Sequence, residues 1–156
     1  MQELSSESVA EAVLRASRAL VAIAARSLSA SQEDVTLPQY RAIVVLCAQG
    51  PSTMSELAEE LDCSASTATR LVDRLVTKDL VHRAPRESNR REVEVQATTS
   101  GAALVKDVTK RRRVEIERII EAMPPRQRPA LVSALQAFAE AAGEAPDQAW
   151  ATGWDL

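Results

Sequence analysis

The chain is 156 residues long, 46% hydrophobic but only 3% aromatic, with a formal net charge of −3 at pH 7. That length accommodates one domain, or one domain and an extension, around a core of Leu, Val, Ile and Ala, a composition that favours closely packed helices over a β-sandwich. No run approaches the ~20 apolar residues of a membrane span and the MQELSSES start lacks the basic opening of a secretion signal, so a cytoplasmic protein without a membrane partner is expected.

Ser8 followed by Glu11 fits a capping box and predicts a first helix to about Leu28, with Val13, Leu14, Val21, Ala24 and Leu28 spaced as a stripe that seeks a partner helix. A second helix opens at TLPQ, where Thr36 and Gln39 form another box, and closes at Gly50 and Pro51; its inward face is Tyr40, Ile43, Val44, Leu46 and Cys47. The third is short, from Thr53 boxed with Glu56 to near Asp62, with Leu57, Ala58 and Leu61 inward. Ser64 then caps a fourth helix to about Asp79, which turns Ala68, Leu71, Val72, Leu75 and Val76 inward and Ser66, Thr67, Thr69, Arg70, Arg74 and Lys78 outward.

Two extended segments follow, LVHRAPR and REVEVQAT, the second alternating Val93 and Val95 with polar residues around the charged loop ESNR. Thr98 or Thr99 caps a long helix to about Met123 whose apolar side is Leu104, Val105, Val108, Ile116, Ile119 and Ile120. Pro124 and Pro125 break it, and a last helix from about Arg126 to Ala142 presents Leu131, Val132, Leu135 and Phe138. The remaining tail carries Trp150 and Trp154, expected to dock on the body.

Two helices joined by the three residues DCS, then a two-stranded basic ribbon, make a winged helix-turn-helix, mainly α with a small β-wing. Residues 1–35 are expected to form an N-terminal dimerisation helix, 36–98 the DNA-binding region, 99–143 C-terminal dimerisation helices and 144–156 a tail. CSASTATRLVDRL puts short hydroxyl side chains at the start of the fourth helix, which lets the backbone approach a major-groove floor, and an arginine one turn later reaches a guanine or a phosphate. Alone, that pattern is also an ordinary helix cap with solvated arginines. The adjoining hairpin changes the balance: between Arg70 and Arg91, Arg70, Arg74, Lys78, Arg83, Arg86, Arg90 and Arg91 face only Asp73, Asp79 and Glu87, a local +4 that leaves −7 for the rest. The DNA-contacting set is therefore Ser64, Ser66, Thr67, Thr69, Arg70, Arg74, Arg86, Arg90 and Arg91.

With only four glycines there is no phosphate-cradling loop, and the single His82 has no nucleophile or metal-ligand companions, so neither an enzyme nor a cofactor or metal site is expected. Cys47 and Cys63 lack CxxC spacing and read as reduced thiols; Cys63, at the edge of the fourth helix, is the better of the two for a redox sensor, which defines an alternative function. A wing used only for protein interaction is a further alternative. KRRR, residues 110–113, reads as a solvated face with a secondary attraction for flanking phosphates.

TLPQ before the second helix, ELAEELDCSASTATRLVDRLVTKDLVHRAPRESNRREVEVQATTSG and the flanking long helices together resemble the MarR family, the multiple antibiotic resistance type of winged-helix transcription regulators, over roughly residues 8–142. The resemblance implies a homodimer interleaved through the first and last two helices, a pseudopalindromic double-stranded DNA operator, and repression released by a small-molecule effector or an oxidant. It places Ser66, Thr67 and Arg70 nearest the bases, Arg74 beside the wing and Arg90 in the minor groove. Two departures stand out: Asn89 replaces the family's Asp, removing the ionic part of a clamp to Arg74, and Ala97-Thr98 replaces Leu-Thr. Such proteins lodge effectors between the dimer helices and the winged domain, here parts of helices one, two and five, and their peroxide sensors carry a cysteine near the amino-terminal helices, whereas no Cys precedes residue 47.

Overall fold

The computed structural model describes residues 5–144. Its elements are α1 (Ser6–Ser29), α2 (Leu37–Gln49), β1 (Ser52–Thr53), α3 (Met54–Glu60), α4 (Ala65–Thr77), β2 (Val81–Arg86), β3 (Asn89–Ala97), α5 (Thr99–Ala122), a single 3-10 turn (Pro125–Gln127) and α6 (Arg128–Ala141). The fold is mainly helical with a small antiparallel sheet, as the periodicity predicts. Trp150 and Trp154 lie outside the described residues.

Local chemistry sets most boundaries. Thr36 and Gln39 close a complete capping box on α2, Thr53 and Glu56 close another on α3, and the Ser64 hydroxyl accepts the Thr67 amide at the start of α4. Gly50 ends α2 at φ 85°, a left-handed conformation that costs glycine nothing. The amino end of α1 departs from expectation: Ser5, rather than Ser8, is the cap, its hydroxyl accepting the Ser8 amide at 3.3 Å and meeting the Ser8 hydroxyl at 2.7 Å. Ser8 lies within the first turn because Ser5 offers the same acceptor one turn earlier.

The core is built around α2, with Ala42, Ile43, Val45 and Leu46 closed off by Leu57 of α3, Val72 and Leu75 of α4, Val95 of β3 and Leu104, Val105 and Val108 of α5. Gly101 lets α5 start hard against the end of the winged unit, since a Cβ there would overlap the Leu80 carbonyl oxygen. Gln39, Ala42 and Val45 are buried in addition to the expected α2 face, because α2 is enclosed on more than one side.

The sheet has three strands in the order β1-β3-β2, not the expected two. Ser52 pairs with Val95 and Thr53 with Glu94, a strand too short to show any alternation in sequence. The hairpin is tighter than expected: the turn is confined to residues 87–88, and Asn89 and Arg90 already belong to β3. Val95 is fully buried but Val93 is half exposed, because the hairpin extends beyond the helices that cover its base. Val76 is likewise exposed, at the far edge of the α4 face whose centre is Ala68, Val72 and Leu75.

Both ends of the chain leave apolar side chains uncovered. In α1 the buried residues are Ile23, Ser27 and Leu28, whereas Leu14 and Val21, assigned to its stripe, stand in solvent. No residue of α6 is buried, and Val132, Leu135 and Phe138 are all more than half exposed. Its far end is nevertheless held, because Arg41 of α2 grips the Glu144 carboxylate through both guanidinium nitrogens at 3.1 Å.

Candidate nucleic-acid interface

The turn between α3 and α4 is compact because Asp62 takes a left-handed φ of 47° and the Cys63 amide returns to the Ala58 carbonyl at 3.0 Å. α4 therefore leaves α3 with its amino end exposed. Ser64 is engaged there as a cap, its hydroxyl within 3.0 Å of both the Ser66 and Thr67 hydroxyls, and Thr69 donates to the Ala65 carbonyl at 2.8 Å. These hydroxyls are pre-ordered, each with acceptor capacity left for a phosphate or a base edge.

The arginines of the basic patch, Arg83 among them although it is outside the DNA-contacting set, divide into three environments. Arg70 and Arg74 on α4 and Arg90 and Arg91 on β3 are exposed, and among the described residues no hydrogen bond or ion pair engages their guanidinium groups. Arg83 is spoken for: it donates to Asp73 of α4 at 2.6 Å, a bridge that pins β2 beside the reading helix. Arg86 is surrounded, with Glu92 at 3.3 Å, Glu56 at 3.4 Å and Glu94 at 4.0 Å. The acidic neighbours hold its guanidinium pKa above the ordinary arginine value, the Glu92 hydrogen bond most of all. Glu56 is held below the usual carboxylate range, first by the Thr53 backbone amide and hydroxyl and then by Arg86.

Counting charge only between residues 70 and 91 thus overstated the wing, because Glu56, Glu92 and Glu94 fall outside that window. The signal was present in EVEV, whose two glutamates share one face of a strand. The helix–wing link also differs from the one the resemblance implied. Asp73 and Arg83 make it, while the Asn89 side chain accepts the Arg91 amide at 3.2 Å and closes the wing tip upon itself.

Away from this surface, KRRR is not simply a solvated face. Lys110 and Arg113 are exposed, but Arg111 bridges Asp107 at 3.0 Å and donates to the Ala30 carbonyl at 2.6 Å, tying α5 to the end of α1 together with Arg26–Glu115. Arg112 turns inward. Its Nε and the Ser27 hydroxyl of α1 are buried without a hydrogen-bond partner among the described residues, and the Tyr40 hydroxyl of α2 is buried too. Tyr40 lies beside Thr109 and Arg112, and burial raises its phenol above the ordinary value. Cys47, half-buried against the same core, has its thiol pushed up to about 11 by desolvation.

A short helix, a tight turn, a second helix with a hydroxyl-rich exposed start and a hairpin pinned to its flank define a winged helix-turn-helix, the class of fold that offers a helix to a DNA major groove. Comparison with protein-family models matches residues 35–93 to the MarR family. The fold superimposes on RV1404 from Mycobacterium tuberculosis with a TM-score of 0.85 and 43% identity, covering 93% of this chain and 99% of that one. The repressor NicR of Pseudomonas putida is 38% identical over 79 residues, 47% of this chain and 50% of NicR, so the match spans about half the length of that relative. The structure describing regulation of DNA binding of Bordetella bronchiseptica BpsR by 6-hydroxynicotinic acid shares the fold at a TM-score of 0.62 and 22% identity, over 89% of this chain and 98% of that one. The chain belongs to the MarR family of DNA-binding transcriptional regulators.

Proposed function

We propose that the chain is a homodimeric repressor, acting in the cytoplasm without enzymatic activity, that binds a pseudopalindromic operator and leaves it when a small molecule binds. The observation that carries the DNA reading is the set of unpaired arginines, Arg70 and Arg74 on α4 and Arg90 and Arg91 on the wing, on two elements joined by Asp73–Arg83. Four uncompensated cations on adjoining elements repel one another unless a polyanion bridges them. In the reading proposed, Ser66, Thr67 and Arg70 face the bases, Ser64 and Thr69 order the helix start and approach the backbone, Arg74 and Arg91 meet phosphates, and Arg90 enters the minor groove. Repression takes support from the resemblance to NicR, a repressor.

The dimer rests on the uncovered apolar residues of α1 and α6. A second copy that covered them would place two α4 helices on half-sites about one DNA turn apart. The effector reading takes support from buried polar atoms without a hydrogen-bond partner among the described residues, the Ser27 hydroxyl of α1 and the Arg112 Nε of α5, and from the buried Tyr40 phenol beside Arg112. Selection of genomic fragments by the purified protein, followed by gel shift, tests the DNA function. Enrichment of a two-fold symmetric sequence is expected; no enrichment over random fragments at low salt leaves the winged unit as a protein-interaction module.

A further inference from the structure

Arg86 looks like one more basic residue of the wing, and its surroundings argue against that part. Three carboxylates stand within 4.0 Å of its guanidinium group, from α3 (Glu56) and from β3 (Glu92, Glu94). The local sum is one positive charge against three negative ones, so a DNA phosphate brought to Arg86 meets net repulsion. A guanidinium placed to bind phosphate is left uncompensated, as Arg70, Arg74, Arg90 and Arg91 are. The partners are also well anchored. Glu56 accepts the Thr53 amide at 2.7 Å in the α3 capping box, and Glu94, whose side chain is 10% exposed, accepts the Gln96 side-chain amide at 2.8 Å. Thr53 in turn pairs with Glu94 across β1 and β3. Arg86 is the last residue of β2, at a register shift where the ladder to β3 is interrupted, which is where the wing has the least backbone support.

Building on the DNA-binding reading above, we infer that Arg86 is a positioning residue: it ties the outer end of the wing, just before its turn, to the amino end of α3 and thereby sets the distance between the neighbouring Arg90 and the reading helix, without touching DNA. Its planar fork serves several carboxylates at once, which a lysine ammonium does less well.

The test uses full-length protein and a duplex selected by the wild type, with affinity measured across a salt series for Arg86→Ala, Arg86→Lys, Glu56→Gln and the double variant Arg86→Ala/Glu56→Gln. Glutamine preserves the capping box, so Glu56→Gln removes the charge and leaves the α3 start intact. Each of Arg86→Ala and Glu56→Gln should weaken operator binding roughly two- to fivefold, the scale of a partly exposed ion pair. The slope of log affinity against log salt should not change, the double variant should be no weaker than the worse single one, and Arg86→Lys should restore part of the loss. A phosphate contact gives the opposite pattern: Arg86→Ala flattens the slope by about one counterion, and Glu56→Gln tightens binding by removing a nearby negative charge. That pattern, or wild-type affinity in both single variants, overturns the inference. Failure of the wild type to select any duplex instead removes the DNA reading on which it rests.

Discussion

At the scale of single residues, Gly101 and Cys47 make separable predictions. Gly101 starts α5 against the Leu80 carbonyl, and the obstacle to a side chain there is backbone, which cannot swing aside. Gly101→Ala should therefore destabilise the fold by about 1–3 kcal/mol, the range for overpacking, even though alanine is the better helix former. Chemical denaturation checks it, and equal or higher stability would show that Leu80 moves freely. Cys47, with its thiol pushed up to about 11, holds far less thiolate near neutral pH than a free cysteine of pKa about 8.5. Iodoacetamide at pH 7.5 should modify it on the order of a hundredfold more slowly than free cysteine, and the rate should still be rising with pH beyond 10. Replacing both Cys47 and Cys63 by serine should leave operator binding and its peroxide response unchanged; loss of an oxidant-triggered release in the Cys63 variant would make the chain a redox regulator.

At the scale of elements, the reading helix and the wing should fail differently. If Arg70 reads a base edge, Arg70→Ala costs about 1–3 kcal/mol on the operator and much less on random DNA, narrowing discrimination. Arg90 in a minor groove senses its width and potential, so Arg90→Ala should weaken binding to both kinds of DNA and flatten the salt dependence by roughly one counterion. Equal losses with unchanged slopes would remove both assignments. Asp73→Ala is informative in a third way. It releases Arg83, so the local positive charge rises while the wing loses its tie to α4. Random-DNA affinity should increase and operator affinity fall. Asn89→Asp, which would strengthen the acceptor for the Arg91 amide, should instead stiffen the wing tip.

At the scale of the whole molecule, the chain carries more uncovered apolar surface at its two ends than its core requires. Val9, Leu14 and Val21 of α1 and Val132, Leu135 and Phe138 of α6 are each close to or more than half exposed, and large apolar side chains left uncovered on a helix are characteristic of an interface. Sedimentation should show a dimer at micromolar concentration. Leu135→Glu together with Phe138→Glu should convert it to a monomer that keeps the winged fold, since no α6 residue is buried in that fold. A stable wild-type monomer would reject the dimer. Loss of the dimer should cost operator affinity far more than random-DNA affinity, because two half-sites are then read independently.

The sequence by itself determined most of what depends on neighbours a few residues apart, the cap of α1 excepted. The boxes at Thr36–Gln39 and Thr53–Glu56, the Ser64 cap, the Gly50 stop and the Pro124–Pro125 break are local hydrogen-bonding and steric rules, and the structure follows them. The inward faces of α2 and α4 were legible for the same reason, since helical period fixes which residues share a face. Tertiary structure decided most of which wing arginines remain free. Arg83 and Arg86 are as basic in sequence as Arg90; the glutamates of EVEV near Arg86 were legible locally, but Asp73, ten residues from Arg83, and Glu56, thirty from Arg86, were not, because periodicity carries no information about partners at that separation. It decided too that β1 joins the sheet and that Arg112 turns inward while its neighbours Lys110 and Arg113 face solvent, because strand pairing and burial are settled by what packs against an element and not by the element's own pattern.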